Sequence, residues 1–348
     1  MILTNFTREK LAKDLESIQE KAFRATQLFE WIYKKHLFSF DEMTNISKAS
    51  LPIVKERYTI PFLKVETIQT SADGTKKYLF ELTDGHFIEA VLMHYNYGES
   101  VCISTQVGCN MGCAFCASGL NKKQRNLETW EMVMQVVQID LSLQEIGKRL
   151  SHVVIMGIGE PFDNYDNVID FIKIINDGKG LEIGARHITV STCGLVPRIA
   201  DFATLPLQVN LAVSLHFAND VLRSKYMPIN RSYPLTQLLP ALQSYYQATN
   251  RRITFEYILL EGINDSPKDA FELVELIKPI NSYVNLIPMN ETGGALKRSP
   301  REAMNRFFDI LSQNNINVTL RREQGHDIDA ACGQLRIKRE KQNARNHH

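Results

Sequence analysis

The 348-residue sequence lacks both a long apolar run and a secretory leader. No stretch approaches the roughly 18 apolar residues that a membrane-spanning helix needs. The chain also does not begin with a basic region followed by an apolar stretch, as a signal peptide would. We therefore expect a cytoplasmic protein that does not enter a membrane. Its six cysteines would stay reduced there, which argues against a structural disulfide framework and favours metal binding or catalysis.

The sequence also lacks a strong net charge. At +1, its charge alone gives no reason to expect a nucleic acid partner. Basic residues nevertheless cluster in several places, and such clusters could neutralise phosphates or could be ordinary solvated faces. The clusters are Lys122, Lys123 and Arg125; Arg251 and Arg252; Lys297, Arg298 and Arg301; and Arg336, Lys338, Arg339, Lys341 and Arg345.

The first hundred residues divide into a helical part and a β part. Residues 1–62 are predicted to form a small helical accessory domain, because apolar residues around Trp31 fall on one helical face. Residues 63–98 contain stretches of alternating polarity, separated by Asp84-Gly85 and preceded by Asp73-Gly74. Both dipeptides are strong turn signals, so this part is predicted to be a β-hairpin or meander.

From residue 99 to 335, apolar strands alternate with longer helical segments, and residues 336–348 form a basic tail. This α/β pattern predicts a parallel sheet covered by helices. Six or so units are too few for a closed eight-fold barrel, so we expect a partial (βα)6 barrel with its ligand cavity at the carboxyl ends of the strands. The predicted strands are 100–105, 152–156, 187–191, 209–215, 254–260, 284–287 and 318–321. The predicted helices are 128–147, 167–176, 235–249, 267–277 and 301–313.

Three cysteines, Cys109, Cys113 and Cys116, lie in a glycine-containing loop directly after the first predicted strand. Thiolates are ligands for iron and zinc, and glycine lets a short loop curl so that three sulfurs face one centre. A closed cluster or structural zinc site normally needs four ligands. In a four-iron cluster, one iron would therefore be open to a substrate. A zinc site completed elsewhere and a set of redox thiols are the alternatives.

Further polar and glycine residues follow other predicted strands, where barrel ligands bind. Glycine permits close approach of the main chain, and carboxylate or amide oxygens can accept from an ammonium group or hydroxyls. Each residue alone is a weak signal, and it is their shared position that favours one ligand site. They are Gly159, Glu160, Ser191, Ser214, Leu215, His216 and Asn290.

The other three cysteines are Cys102, Cys193 and Cys332. Cys332 lies in a segment of small residues after the last predicted strand, which can fold back over the cavity mouth. Cys102 lies on the first predicted strand and could point into the same cavity. The alternative is that each is a small buried apolar residue, and for Cys193 we adopt that interpretation.

The C-x3-C-x2-C spacing resembles the signature of the radical S-adenosylmethionine superfamily. Five segments further resemble the RlmN/Cfr family of radical S-adenosylmethionine RNA methyltransferases, and the match runs in order from about residue 20 to the end of the chain. These segments are 101–109, 156–161, 191–192, 227–230 and 327–335.

The resemblance implies both cofactors and residue roles. It implies that Cys332 accepts a methyl group, that Glu89 is the catalytic acid or base, and that Cys102 closes a transient disulfide with Cys332. The implied ligands of a [4Fe-4S] cluster are Cys109, Cys113 and Cys116. The implied contacts of S-adenosylmethionine are Gly159, Glu160, Ser191, Ser214, Leu215, His216 and Asn290.

The implied mechanism solves a chemical problem, because the target carbons of adenine are electrophilic and cannot attack a methyl donor. One S-adenosylmethionine methylates Cys332, and a second is cleaved to a radical that takes a hydrogen from the S-methyl group. The carbon radical adds to the ring. Loss of the ring proton and attack of Cys102 on the Cys332 sulfur then release the methylated RNA.

The family has two branches, which methylate carbon 2 or carbon 8 of the same adenine in the peptidyl-transferase region of 23S rRNA. Gly159-Glu160-Pro161 resembles the carbon-2 branch, which also methylates the adenine beside the tRNA anticodon. The implied partners are 23S rRNA, tRNA and an electron donor of the flavodoxin or ferredoxin type, and the implied state is a monomer. The helical domain, the meander and the basic clusters are then candidate RNA contacts.

The runner-up is carbon-8 methylation, which confers antibiotic resistance. A zinc-stabilised RNA-binding protein without catalysis is a remote alternative. Another radical enzyme, such as a mutase or an activating enzyme, would use the same cluster but has no need of Cys102 and Cys332.

Overall fold

The computed structural model describes residues 1–120, 122–290, 295–321, 324–325, 327–328, 335–336 and 339. Its N-terminal part is helical, as predicted. Thr7 caps the first helix by accepting a hydrogen bond from the Lys10 N–H. Buried side chains of these helices share one continuous apolar core with the rest of the molecule. The helices are α1 (Arg8–Ser17), α2 (Arg24–Phe29), which continues as a π-helical turn over Glu30–Lys34, and α3 (Ser50–Arg57).

Four antiparallel strands follow and form the predicted meander with one additional strand. Gly74 and Gly85 have φ angles of 87° and 81°, a region that favours glycine, so both Asp-Gly turns are confirmed. The strands are β1 (Lys64–Thr70), β2 (Lys76–Glu81), β3 (Phe87–Tyr95) and β4 (Gly98–Cys102).

The parallel part of the sheet begins at β4, which pairs antiparallel with β3 and parallel with β7 (Leu150–Ile155). All seven predicted strands are present, although the first ends at Cys102 rather than at residue 105. Two short strands, β5 (Gln106–Val107) and β6 (Arg125–Asn126), flank the cysteine loop. The remaining strands are β7 (Leu150–Ile155), β8 (Ile188–Thr192), β9 (Asn210–Ser214), β10 (Ile253–Leu259), β11 (Ser282–Pro288) and β12 (Asn317–Leu320). The sheet order is β1-β2-β3-β4-β7-β8-β9-β10-β11-β12.

Helices cover the outer face of the parallel strands. The five predicted helices are present, and their starts are set by caps such as the reciprocal hydrogen bonds between Glu128 and Glu131. Two short helices were not predicted, because two turns offer few periodic positions. The helices are α4 (Thr129–Gln144), α5 (Tyr165–Asn176), α6 (Val196–Ala203), α7 (Asp220–Tyr226), α8 (Leu235–Thr249), α9 (Pro267–Ile277) and α10 (Arg301–Gln313). Among the described helices, none is both long and apolar enough to cross a bilayer.

Side-chain alternation along the strands separates the outer core from the lumen of the partial barrel. Val101 and Val153 join the core beneath the helices. Cys102 and Val154 point to the opposite side, where Cys102 contacts Val91 on β3. The lower lumen, near the amino ends of the strands, holds a cavity of about 1280 Å³. The expected α/β partial barrel with a helical N-terminal part and a meander is thus confirmed.

Candidate active site

The cysteine loop lies between β5 and β6, directly beyond the carboxyl end of β4. All three of its cysteines are partly buried. Within the loop, the Cys116 N–H donates to the Cys113 carbonyl at 3.1 Å, and the Ala114 N–H donates to the Tyr226 carbonyl at 2.9 Å. The second bond fastens the loop to the end of α7. The loop that carries the three thiols is therefore held by the β5–β6 pair at its ends and by α7 at Ala114.

These thiols resist ionisation without a cation. Burial, reinforced by the neighbouring Cys116 thiol, raises the pKa of Cys109 to about 11. Burial and the other two thiols raise the pKa of Cys113 as well, against the opposing effect of Arg223. A bound metal centre supplies the missing positive charge, since thiolates are the form that binds metal. The donor set therefore fits an iron–sulfur cluster.

In a [4Fe-4S] cluster the thiolates are distributed over several irons, so the three sulfurs need not meet at one ion. Within the part of the chain that the structure describes, no three His, Cys, Asp or Glu side chains are placed to hold a single metal ion.

The loop after β7 brings Gly159 and Glu160 close to the cysteine loop. Gly159 has a φ of +113°, and an added Cβ would lie 2.7 Å from both the Gln106 Cβ and the Thr105 Oγ1. Only glycine fits this position, because the main chain packs closely against these two side chains.

Glu160 is 3% exposed, and burial raises the pKa of its carboxyl group. Its Oε1 accepts from the Phe162 N–H at 3.0 Å and its Oε2 from the Cys193 N–H at 2.8 Å. Both oxygens are therefore engaged by the main chain, and the side chains of Thr192 and Cys193 donate to the same carboxylate. Glu160 thus joins the loops after β7 and β8.

The ends of β8 and β9 place Ser191 and Ser214 side by side, with their Oγ atoms 3.4 Å apart. Leu215 is fully buried, and its N–H donates to the Glu256 carbonyl at 3.1 Å. Asn290 lies two residues beyond β11 and is exposed. Sequence reasoning placed all four residues at strand ends, where the structure has them.

His216 is a buried and neutral hydrogen-bond donor. Burial, with help from Arg223, lowers its pKa to about 3. Its Nδ1 accepts from the Ile258 N–H at 3.1 Å, which assigns the proton to Nε2. Its ring packs edge-on against Phe115 of the cysteine loop, with ring centres 4.8 Å apart. Among the described residues, Nε2 has no acceptor, so it can donate to a ligand.

Arg223 is a functional residue that sequence reasoning missed. This guanidinium is completely buried. It donates to the carbonyls of Cys193 at 2.7 Å and Leu215 at 3.2 Å, and to the Asn230 Oδ1 at 2.7 Å. It therefore ties together the loops after β8 and β9. An arginine in a short helix is usually solvated, so nothing in the local sequence marks Arg223. The one available signal is that its partner Asn230 lies in segment 227–230, which resembles the family.

The antiparallel wall of the lumen carries Glu89 and Cys102. Cys102 is 9% exposed and pairs across the strands with Val91. Glu89 lies two residues before Val91, on the same face of β3, so it is about 7 Å along the strand from the level of Cys102. The Ser104 hydroxyl donates to the Glu89 carbonyl at 2.6 Å. Cys332 lies outside the described residues.

Two basic residues beside the cysteine loop are already neutralised within the protein. The Lys123 Nζ lies 2.7 Å from Asp163. Arg125 contacts Asp84 at 2.6 Å and Glu131 at 2.7 Å. These contacts favour a structural role for Lys123 and Arg125 over phosphate binding, which was the alternative for this basic cluster.

Comparison with known proteins gives a consistent result. The model of the ribosomal RNA large subunit methyltransferase N-terminal domain matches residues 1–60, and that of the radical SAM superfamily matches residues 103–274. A protein of Spiroplasma citri named "Probable dual-specificity RNA methyltransferase RlmN" is 55% identical over 336 residues, covering 96% of this chain and 97% of the relative. The chain belongs to the RlmN family. A Streptococcus mutans protein of the same name is 55% identical, covering 93% of this chain and 92% of its own.

A solved structure supports this assignment. The crystal structure of a radical SAM methyltransferase from Sphaerobacter thermophilus is 42% identical, with a TM-score of 0.90, and the match covers 96% of this chain and 98% of the other. This RlmN-family protein is thus a radical S-adenosylmethionine RNA methyltransferase. Membership implies a [4Fe-4S] cluster and S-adenosylmethionine, and the partly buried thiols of Cys109, Cys113 and Cys116 fit such a cluster.

Proposed function

We propose that this RlmN-family enzyme methylates carbon 2 of an adenine in the peptidyl-transferase region of 23S rRNA, and of the adenine beside the anticodon in tRNA. The similarity over nearly the whole chain to relatives named dual-specificity RNA methyltransferases carries this proposal. Gly159-Glu160-Pro161, which resembles the carbon-2 branch, supports it. The proposal includes a monomer in the cytoplasm that takes electrons from a flavodoxin or ferredoxin.

The parallel wall holds the cofactors in this proposal. A cluster bound to Cys109, Cys113 and Cys116, together with S-adenosylmethionine, supplies the radical chemistry, and two S-adenosylmethionine molecules are used per turnover. Gly159 lets the main chain approach the ligand, and His216 donates from its neutral Nε2. The other proposed contacts are Glu160, Ser191, Ser214, Leu215 and Asn290.

The antiparallel wall serves the RNA. Cys332 accepts the methyl group and would deliver its carbon to the adenine, giving an adduct that loses the ring proton to Glu89 and one electron that the cluster would take back. Cys102 then attacks the Cys332 sulfur, the sulfur–carbon bond breaks, and the carbon takes up a proton to become the methyl group of the released RNA. The two cysteines are left as a disulfide. The burial of Cys102 among Val91, Met93, Val154 and Met156 supports this role, because it shelters the thiol from competing reactions in solvent.

The test is to reconstitute the cluster without oxygen and to incubate the enzyme with methyl-labelled S-adenosylmethionine, a reductant, and either a 23S rRNA fragment or tRNA. Mass spectrometry of the nucleosides and of the Cys332 peptide reads out both halves of the reaction. We expect 2-methyladenosine in both RNAs and a methylated Cys332. Finding 8-methyladenosine would assign the enzyme to the carbon-8 branch. Label in neither product would reject the proposal.

Cys102→Ala tests the release step within the same experiment. Without the Cys102 thiol, the bond between Cys332 and RNA has no thiol to resolve it, so we expect a protein–RNA adduct to accumulate. Normal turnover by this variant would remove Cys102 from the mechanism.

A further inference from the structure

We propose that Lys77 is a positioning residue that acts through Glu89; this inference rests on the proposed role of Glu89 as proton acceptor. Lys77 lies on β2 and is 0% exposed, and its Nζ lies 2.8 Å from the Oε2 of Glu89, which is 3% exposed. In the register of β2 and β3, Lys77 faces Val91 and Leu79 faces Glu89. Lys77 and Glu89 are therefore diagonal neighbours on the lumen face, a spacing that long side chains can bridge.

Burial makes this ion pair different from a surface pair. Two charges taken out of water are costly, and removing one partner of a buried pair is strongly destabilising. Both side chains of this pair are almost completely buried, so the 2.8 Å contact holds the Glu89 carboxylate at a fixed place on the lumen face. Lys77 thus positions the carboxylate that the proposed role requires.

Glu89 also connects Lys77 to the C-terminal part of the chain. Its Oε1 accepts from the Arg336 N–H at 2.7 Å. Next to this bond, Leu335 packs against Leu79 and Phe87 on the lumen face of β2 and β3. The carboxylate therefore has two fixed donors, one from the meander and one from the C-terminal main chain.

A second anchor holds the C-terminal segment to the same meander. The Ala72 N–H donates to the Asp327 Oδ2 at 2.9 Å, and the Gly325 N–H donates to the Asp73 Oδ2 at 2.8 Å. Against the effect of burial, the N–H groups of Gly325 and Thr75 hold the pKa of Asp73 well below its usual range. The chain is thus held against the meander at Gly325 and Asp327 and again at Leu335 and Arg336. These contacts lie on either side of the position of Cys332 in the sequence.

Lys64 on the neighbouring strand offers a matched control. Its Nζ contacts Glu81 at 2.5 Å, but the side chain is 67% exposed. Lys64→Met therefore removes an exposed ion pair of the same meander, and surface pairs contribute little. It should leave folding and methylation unchanged.

The first test does not depend on the cofactors. Lys77→Met should increase the hydrogen-exchange rate of the Arg336 amide by about 10-fold or more, since the carboxylate that accepts its hydrogen bond is no longer held in place. Lys64→Met should leave that rate unchanged. Unchanged exchange in a folded Lys77→Met protein would overturn the positioning role.

The second test separates the two halves of the reaction. Folded Lys77→Met should bind iron and methylate Cys332 as the wild type does, whereas its yield of methyladenosine per methylated Cys332 should fall by about 100-fold, the contribution of a general base. A merely structural role for Lys77 would lower both products together or neither, and either result would overturn the inference.

A double variant covers the case in which Lys77→Met does not fold. Lys77→Met with Glu89→Gln removes both charges of this pair, and the Gln Oε1 can still accept from the Arg336 N–H. This variant should fold and methylate Cys332 but form no methyladenosine; normal methyladenosine would overturn the inference. If the wild type itself forms neither product, the proposed function fails, while exchange at Arg336 still decides whether Lys77 positions the chain.

Discussion

The two walls of the lumen solve different problems. The parallel wall, from β4 to β12, presents loops at its strand ends, and these loops offer the cysteine thiols, main-chain groups and polar side chains such as Glu160 and His216. The antiparallel wall, from β1 to β4, presents side chains from within its strands, with Glu89 and Cys102 on one face. The first arrangement suits a cofactor that is gripped by loops. The second suits a reaction that needs particular side chains at fixed register.

The difference also concerns how each wall is held in place. In the parallel wall, Arg223 and Glu160 tie neighbouring loops together through main-chain hydrogen bonds. In the antiparallel wall, Lys77 and Glu89 form a buried pair that reaches the C-terminal main chain. Damage to the first wall should therefore remove the cofactors, whereas damage to the second should spare them.

Loss of a cluster ligand should have the largest effect. Cys113→Ala removes one of three thiolates, so we expect iron to fall from about four per chain to a trace and methylation of both Cys332 and RNA to disappear. Iron and acid-labile sulfide analysis measures this. The control is Cys193→Ser, which changes a buried cysteine outside the loop and should keep its iron; equal iron loss in both variants would contradict the assignment.

Removal of Arg223 should come next. Arg223→Leu removes the buried donor of three carbonyls, those of Cys193, Ser214 and Leu215, and of the Asn230 side chain. We therefore expect the free energy of unfolding to fall by about 3 to 5 kcal/mol. Denaturant unfolding measures this loss. Arg198→Leu removes an arginine that is 44% exposed and paired with Asp201, and it should cost no more than about 1 kcal/mol. Equal losses would show that Arg223 does not hold the loops.

His216 should make the parallel wall sensitive to acid. Its pKa is about 3 in the folded protein but about 6.5 in an unfolded chain. Between these values the unfolded state binds more protons, so stability rises with pH and is lost on acidification. From pH 6.5 to pH 4 this group should account for at most roughly 3 kcal/mol. Unfolding of His216→Gln across this range should lack that component, and an identical pH dependence would contradict the neutral histidine.

Gly159→Ala should have the smallest of these effects. Its Cβ would clash with Gln106 and Thr105 at a positive φ, so we expect a loss of about 1 to 3 kcal/mol and weaker S-adenosylmethionine binding by calorimetry. Gly85→Ala is the control, since Gly85 has a φ of +81° with no atom within 4 Å of an added Cβ. Gly85→Ala should carry the backbone strain alone and leave binding intact. Equal affinity for S-adenosylmethionine in both variants would contradict a role of Gly159 in the cofactor site.

The sequence predicted the parallel wall better than the antiparallel one, for a physical reason. Ligand residues of parallel strands collect at the carboxyl ends, so Gly159, Ser191 and His216 could be placed from the order of strands alone. Arg223 escaped notice because charged residues in a short helix usually face solvent. Its burial depends on carbonyls from two loops far apart in sequence.

The antiparallel wall depends on a contact that no local pattern reveals. In β2, polar Lys77 and Glu81 alternate with Tyr78 and Phe80, which is typical of a strand with one solvated face. The structure buries both faces, because Leu335 covers Leu79 on the lumen side. A residue more than 250 positions away thus turns Lys77 from a surface lysine into a buried one.

The most direct test of the division between the walls is Glu89→Gln. Iron content, S-adenosylmethionine affinity and Cys332 methylation should equal those of the wild type, while methyladenosine should fall by about 100-fold or more. That result would place the cofactors on one wall and the chemistry on RNA on the other. Loss of S-adenosylmethionine binding together with methyladenosine would contradict the division.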